Sequence, residues 1–228
     1  MSTAPRSTGA ARIGGAAAML LAVLLAGCAT APRPVPDDRA AAWSQLQGRL
    51  QALSAWRAEG RLTVRTPGDV GNAHFTWIEQ AGGAFRLRLG GPLGQGGGRL
   101  TGGGDGATLV TADGRRYAGR DAAALLHDLY GWRIPVAGLR RWLLGLPGEE
   151  AQFRLDRFGR LATLDWRGWD IEYRRHRNVG DLDLPATLLA RDASAGTEIR
   201  IAIDHWDLGG GDNNNEAAPG SPVPLIGG

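Results

Sequence analysis

Residues 85–89 read Phe85-Arg86-Leu87-Arg88-Leu89. Three large apolar side chains alternate with two arginines, and a period of two sends them to opposite faces of an extended strand. One face is buried and the other charged, the pattern of an antiparallel sheet with one solvated side. The same alternation runs outward in both directions. Upstream, Leu62 and Val64 lie between Arg61, Thr63 and Arg65, and Phe75 and Trp77 between His74, Thr76 and Ile78. Downstream come Phe153 and Leu155, Leu164 and Trp166, then Trp169, Ile171 and Tyr173, then Leu188 and its neighbours, and finally Ile199, Ile201 and Ile203. Turn signals separate these runs at Pro67-Gly68, Gly82-Gly83, Gly102-Gly103-Gly104 and Asp113-Gly114, which fit hairpins. About eleven short strands result, without an internal repeat.

Three segments change period. Trp43, Leu46, Leu50, Leu53 and Trp56 form one apolar stripe at helical spacing and predict a helix that opens the domain. Asp121 can cap a short helix carrying Leu125, Leu126 and Leu129. After Pro135, the residues Leu139, Trp142, Leu143 and Leu146 predict a third helix, closed by Gly145 and Pro147. A long sheet with one apolar face must curl and be covered, and these helices are the available cover. The fold class is therefore α+β: a curled antiparallel sheet of about eleven strands under three helices. Two outcomes remain open at this level. The space between sheet and helices is either a filled core, or a half-barrel whose helical lid closes over an apolar pocket.

Composition narrows the function. The chain has 228 residues, enough for one domain with appendages. All 26 basic residues are arginines, which excludes Schiff-base lysine chemistry and a Walker-type phosphate loop. Without its first 27 residues the chain keeps 24 arginines against 23 acids, a balance that gives no support for nucleic-acid binding by charge.

The first 27 residues have the parts of an export signal: Arg6 and Arg12, an apolar run from Ala16 to Ala26, and small residues at its end. The run is shorter than the roughly 20 residues that span a bilayer. It ends Leu25-Ala26-Gly27-Cys28, which resembles a bacterial lipobox and contains the chain's single cysteine. By that resemblance Cys28 is lipidated, with acyl groups such as palmitate, and becomes the mature N-terminus. Several chains at ~0.8 kcal/mol per buried CH₂ would hold the protein on a membrane. The residue after it is Ala29 and not Asp, which in Gram-negative lipoproteins implies sorting to the outer membrane. Residues 28–42, with prolines 32, 34 and 36, read as a tether. Tryptophans run from Trp43 to Trp206 and set the packed domain at 43–207. Residues 208–228, rich in Gly, Asn and Pro, read as a disordered tail.

Catalytic constellations are lacking. None of Ser44, Ser54, Ser194 or Ser221 lies in a G-x-S-x-G elbow, and His74, His127, His176 and His205 are isolated, without metal-ligand spacing. Glu149-Glu150 and the Asp181/Asp183 pair follow turn signals and read as solvated loops. The glycine-rich segments at 94–96 and 102–106 are not followed by the helix a phosphate site needs. The expectation is a non-enzyme with no cofactor and no metal.

An ordered set of segments resembles the LolB family of outer-membrane lipoprotein receptors over about residues 43–206. It comprises Trp56 with Gly60, Phe75-Thr76-Trp77 with Gln80, the 85–89 strand, Gly91-Pro92-Leu93-Gly94, Asp113-Gly114 with Tyr117, Asp121-Ala122 leading to Gly131-Trp132, and Ile134-Pro135-Val136. The longest is Leu139-Arg140-Arg141-Trp142-Leu143-Leu144-Gly145-Leu146-Pro147-Gly148. Trp169, Tyr173, Leu184-Pro185 and the span from Ile203 to Trp206 complete the set. The resemblance implies an eleven-stranded half-barrel with a three-helix lid and an acyl-chain cavity. It also implies a lipid-anchored protein on the periplasmic face of the outer membrane, acting as a monomer. It would accept acylated lipoprotein cargo from a LolA-like periplasmic carrier and pass it to outer-membrane phospholipid. Within Pro92-Leu93-Gly94, Leu93 would protrude and enter the membrane. Candidate cavity residues are Trp77, Phe85, Leu87 and Leu89 from the early strands, Leu125, Leu129 and Trp142 from the lid, and Ile171, Tyr173, Ile199 and Ile201 from the later strands. The alternative reading is a non-catalytic scaffold lipoprotein of an outer-membrane assembly complex, which would share the anchor and need no cavity.

Overall fold

Eleven strands pair into one unclosed antiparallel sheet in a computed structural model that describes residues 35–91 and 97–209. In chain order the elements are α1 (Arg39–Gln51), β1 (Trp56–Thr66), β2 (Asp69–Glu79), β3 (Phe85–Gly90), β4 (Gly97–Gly103), β5 (Gly106–Thr111), β6 (Arg116–Gly119), α2 (Ala122–Tyr130) and α3 (Val136–Leu144). There follow β7 (Gln152–Leu155), β8 (Leu161–Trp166), β9 (Trp169–Val179), β10 (Leu182–Asp192) and β11 (Thr197–Asp207). The spatial order is β6-β5-β4-β3-β2-β1-β11-β10-β9-β8-β7. The sheet is thus two meanders joined at β1 and β11, with α2 and α3 inserted between them in sequence. It curls beneath the helices into a half-barrel.

Registers align the apolar residues in rows across the inner face. Tyr117, Leu109, Leu100, Leu87, Trp77, Ala58 and Trp206 are successive partners from β6 to β11. Leu62, Ile201, Leu188 and Tyr173 form a second row. Val64, Ile199, Ala190, Ile171 and Leu164 form a third. A one-residue slip would turn each row outward, so burial of this face fixes the pairing. The outer face carries exposed ion pairs such as Arg61 with Asp204 at 3.0 Å, which contribute little individually.

The helices begin and end where local chemistry dictates. Asp38 accepts hydrogen bonds from the N–H groups of Ala40 and Ala41, at 2.8 and 3.1 Å, so α1 starts at Arg39, within the stretch expected to be tether. An N-cap of this kind satisfies donors that the first turn leaves without partners. The same helix ends at Gln51, so Leu53 and Trp56 continue the stripe only in spacing, and Trp56 is the first residue of β1. Asp121 caps α2 through the N–H of Ala123 at 2.9 Å, and α2 and α3 both close on left-handed glycines, Gly131 and Gly145.

The turn expected at Gly102-Gly103-Gly104 falls at Gly104 and Asp105, and its first two glycines belong to β4. Gly102 and Gly103 pair with Ala107 and Gly106 of β5, and the Phe85 ring lies over Gly102, where a Cβ would come within 2.5 Å of the ring. Gly97 and Gly98 also lie in β4, and a Cβ on Gly97 would meet the Leu89 carbonyl oxygen at 2.1 Å. A second correction concerns Asp183. It is buried on β10, with an Arg160 guanidinium nitrogen 3.9 Å away, whereas Asp181 is exposed and pairs with Arg49 as a loop residue would. β10 is buried on both faces over much of its length, which brings Asp183 inside.

Candidate functional site

The site is the inner face of the sheet together with the helices that cover it. α2 lies over β4, β5 and β6, and α3 lies over β10. Leu125 of α2 fits over Gly119, where a Cβ would be 3.3 Å from the leucine. Trp142 of α3 sits 5.4 Å from the Trp169 ring and meets Trp166 edge-on at 6.1 Å. Between α2 and α3, Trp132 rests on Gly71 of β2, with space for no Cβ beneath it. Each helix is nine residues long, too short to persist alone in water. Contact with the sheet therefore holds them helical.

The structure brings all eleven candidate cavity residues into one apolar cluster. Trp77, Phe85, Leu87, Leu125, Trp142, Ile171, Tyr173, Ile199 and Ile201 are buried within it, and Leu89 and Leu129 are half-buried against it. A continuous aromatic ledge crosses four strands: Phe85 stacks on Trp77 at 5.1 Å, Trp77 on Trp56 at 6.1 Å, and Trp56 tilts against Trp206 at 5.5 Å. Burying such side chains contributes about 1.5–3 kcal/mol each.

One end of this ledge carries a polar pair that the sequence reading missed. Glu79 continues the inward phase of Phe75 and Trp77, and its side chain is only 4% exposed. The Trp77 indole N–H donates to it at 3.2 Å, and the Arg140 guanidinium of α3 donates to its other oxygen. Burial pushes the Glu79 carboxyl above its ordinary range, against the opposing hydrogen bond of Trp77 and charge of Arg140. The signal was the alternation itself, which puts residue 79 inside. Beside the pair opens a cleft of about 460 Å³, with Leu50, Leu53, Trp56, Leu144 and Leu146 among its walls and Arg140 and Arg141 at its rim. The cleft lies between the start of β1, the β2–β3 turn and α3. None of the eleven candidates lines it.

A second feature lies deeper. The Tyr173 hydroxyl on β9 is buried and has no hydrogen-bond partner among the described residues. Its phenol is held protonated by desolvation. Leaving such a group unpaired costs about 1–3 kcal/mol.

Pro92, Leu93, Gly94 and Cys28 lie outside the described residues. The loop that would hold Leu93 is bounded by Gly90 of β3 and Gly97 of β4, and the Tyr130 hydroxyl of α2 reaches the Gly97 carbonyl at 3.5 Å. Among the described residues no three His, Cys, Asp or Glu side chains gather to hold a metal. No hydrogen bond joins His74 or His205 to a serine among them either.

An unclosed antiparallel half-barrel with short helices laid on its apolar inner face is the class that fold and site define. The family model described as outer membrane lipoprotein LolB matches residues 54–206. The chain is 38% identical over 193 residues to the outer-membrane lipoprotein LolB of Alkalilimnicola ehrlichii, covering 83% of this chain and 94% of that protein. It is 38% identical over 188 residues to LolB of Pseudomonas aeruginosa, covering 80% and 90%. LolB of Nitrosococcus oceani is 35% identical over 191 residues, covering 82% and 94%. Among solved structures, a LolA superfamily protein from Nitrosomonas europaea superposes with a TM-score of 0.49 at 8% identity, covering 76% of this chain and 93% of that one. The chain belongs to the LolB family of outer-membrane lipoproteins. That family serves lipoprotein localisation and is not catalytic.

Proposed function

We propose that this chain takes acylated lipoproteins from a LolA-like periplasmic carrier and delivers them to phospholipid in the inner leaflet of the outer membrane. The observation that carries the reading is the continuous apolar inner face beneath two short, separately seated helices, in a member of the LolB family. Acyl chains would enter between sheet and helices and replace contacts that Leu125, Leu129 and Trp142 make with the strands. Trp77, Phe85, Leu87, Leu89, Ile171, Tyr173, Ile199 and Ile201 would then line the acyl-chain site.

Transfer needs no chemical step. Each CH₂ removed from water contributes about 0.8 kcal/mol, so movement from carrier to acceptor requires only that the acceptor bury the chains somewhat better. Displacing lid contacts sets the opposing term, and short helices keep that term small. Cys28, acylated after removal of residues 1–27, would anchor the protein on the periplasmic face of the membrane through residues 29–38. A monomer suffices for each of these steps. Leu93, between Pro92 and Gly94, would enter the leaflet and open the exit path.

The test uses the mature chain from residue 28 with Cys28→Ala, mixed with a carrier loaded with acylated lipoprotein. Cargo moves onto the chain, and cargo without acyl groups does not. Retention of acylated cargo by a competent carrier would defeat the reading. Leu93→Glu in the lipidated protein lets cargo arrive and blocks its delivery to membranes; intact delivery would remove the role of that loop.

A further inference from the structure

Tyr173 occupies the middle of β9, opposite Leu188, in the row that continues through Ile201 to Leu62. Its cross-strand row of Leu188, Ile201 and Leu62 is apolar, and the His176 ring stacks against the Tyr173 ring at 6.0 Å. Buried hydroxyls in folded proteins are almost always paired, yet this one has no hydrogen-bond partner among the described residues. Phenylalanine would fill the same volume without a stranded donor. Unpaired, the hydroxyl weakens the ligand-free fold, and a molecule that enters the apolar face can supply its partner. Only a molecule that is itself largely apolar can do so without a large desolvation penalty. The phenol O–H is a hydrogen-bond donor, and an acceptor on an entering molecule would satisfy it.

We propose that the Tyr173 hydroxyl donates a hydrogen bond to the carbonyl oxygen of an acyl ester or amide bound between sheet and helices. This rests on the acyl-acceptor reading and deepens it. The carbonyl of an acyl chain is an acceptor without a donor, attached to a long alkyl group, and is the complement of a lone donor in an apolar wall. The bond fixes how far the chain slides along the inner face and separates acyl groups from plain hydrocarbon.

The experiment compares two fluorescent ligands of equal chain length, a long-chain ester and the matching ether that lacks the carbonyl. Both are titrated into the mature chain with Cys28→Ala, which contains every residue of the described fold, and into its Tyr173→Phe variant. The variant binds the ester about five- to tenfold more weakly, as expected for one buried hydrogen bond, and binds the ether unchanged. Its ligand-free melting temperature rises. Equal effects on ester and ether, or none on either, would overturn the proposal. So would a fall in melting temperature, which would mean that the hydroxyl is already satisfied inside the protein. If the unsubstituted chain bound neither ligand, the acceptor reading itself would fall, and the Tyr173 proposal with it.

Discussion

The Arg140 guanidinium on lid helix α3 donates to the carboxylate of Glu79 on strand β2, at the edge of the Phe85–Trp77–Trp56 ledge. The pair fastens a helix to the sheet beside a cleft whose walls include Leu50, Leu53, Trp56, Leu144 and Leu146. A buried ion pair is weak evidence for stability, because the attraction between its members has to offset the desolvation of both. Here it joins α3 to β2, alongside the contacts of Trp142 with Trp166 and Trp169 that also seat the helix. The energetic consequences of each partner can be worked out separately.

Glu79→Gln keeps the shape and removes the charge. Burial raises the folded-state pKa of Glu79 above its ordinary 4.5, so the folded protein holds that proton more tightly than the unfolded chain. The resulting stability is present in full below about 4.5 and is lost as pH rises through the folded value. Denaturant unfolding of both proteins from pH 4 to 8 should show the variant gaining on the wild type as pH increases, then levelling off. A difference that stays flat or shrinks with pH would reverse the assigned shift.

Arg140→Leu does the opposite, leaving the carboxylate of Glu79 buried beside Trp77 without its cation. We expect a loss of about 3 kcal/mol at pH 7, the scale for breaking one side of a buried pair. Combining it with Glu79→Gln should recover most of that loss, since the uncompensated charge disappears with it. A double-mutant cycle measures the coupling directly; additive effects would mean that the two side chains do not act as a pair.

Gly102→Ala tests the ledge from the opposite side. A Cβ there would press on the Phe85 ring at 2.5 Å, and overpacking of this kind costs about 1–3 kcal/mol. Phe85→Leu alone should also destabilise, yet added to Gly102→Ala it should relieve part of the loss. Thermal melts of the three variants decide the matter, and a Gly102→Ala melt equal to wild type would show the ring free to move aside.

Much of this molecule is legible as a string because its physics is local. A period of two with arginine on the alternate phase defines both faces of β1 and β3, and turn residues divide the hairpins. Asp121 and Gly145 mark helix ends by hydrogen-bonding and dihedral rules that operate within a few residues. The lipobox pattern at Cys28 is likewise read within a short span. Glu79 too falls on the inward phase of β2.

Other features depend on contacts across the sheet and have no local signature. Gly102 looks like a turn glycine until Phe85, seventeen positions away in sequence, is seen to cover it. Asp183 looks solvated until β10 is found buried on both faces. Start and stop positions of α1 turned on Asp38 and on the claim of β1 to Trp56, which helical spacing alone assigns to the helix.

The sequence by itself determined the secondary-structure alternation, the sign of each face and the family, because these follow from side-chain periodicity and short motifs. Only the tertiary structure decided which inward groups meet. It paired Glu79 with Arg140 from 61 positions away, left the Tyr173 hydroxyl without a partner among the described residues, and gathered the eleven candidate residues into one apolar cluster. Alternation states that a side chain points inward. What it finds there depends on strand register and helix placement, which chain folding alone establishes.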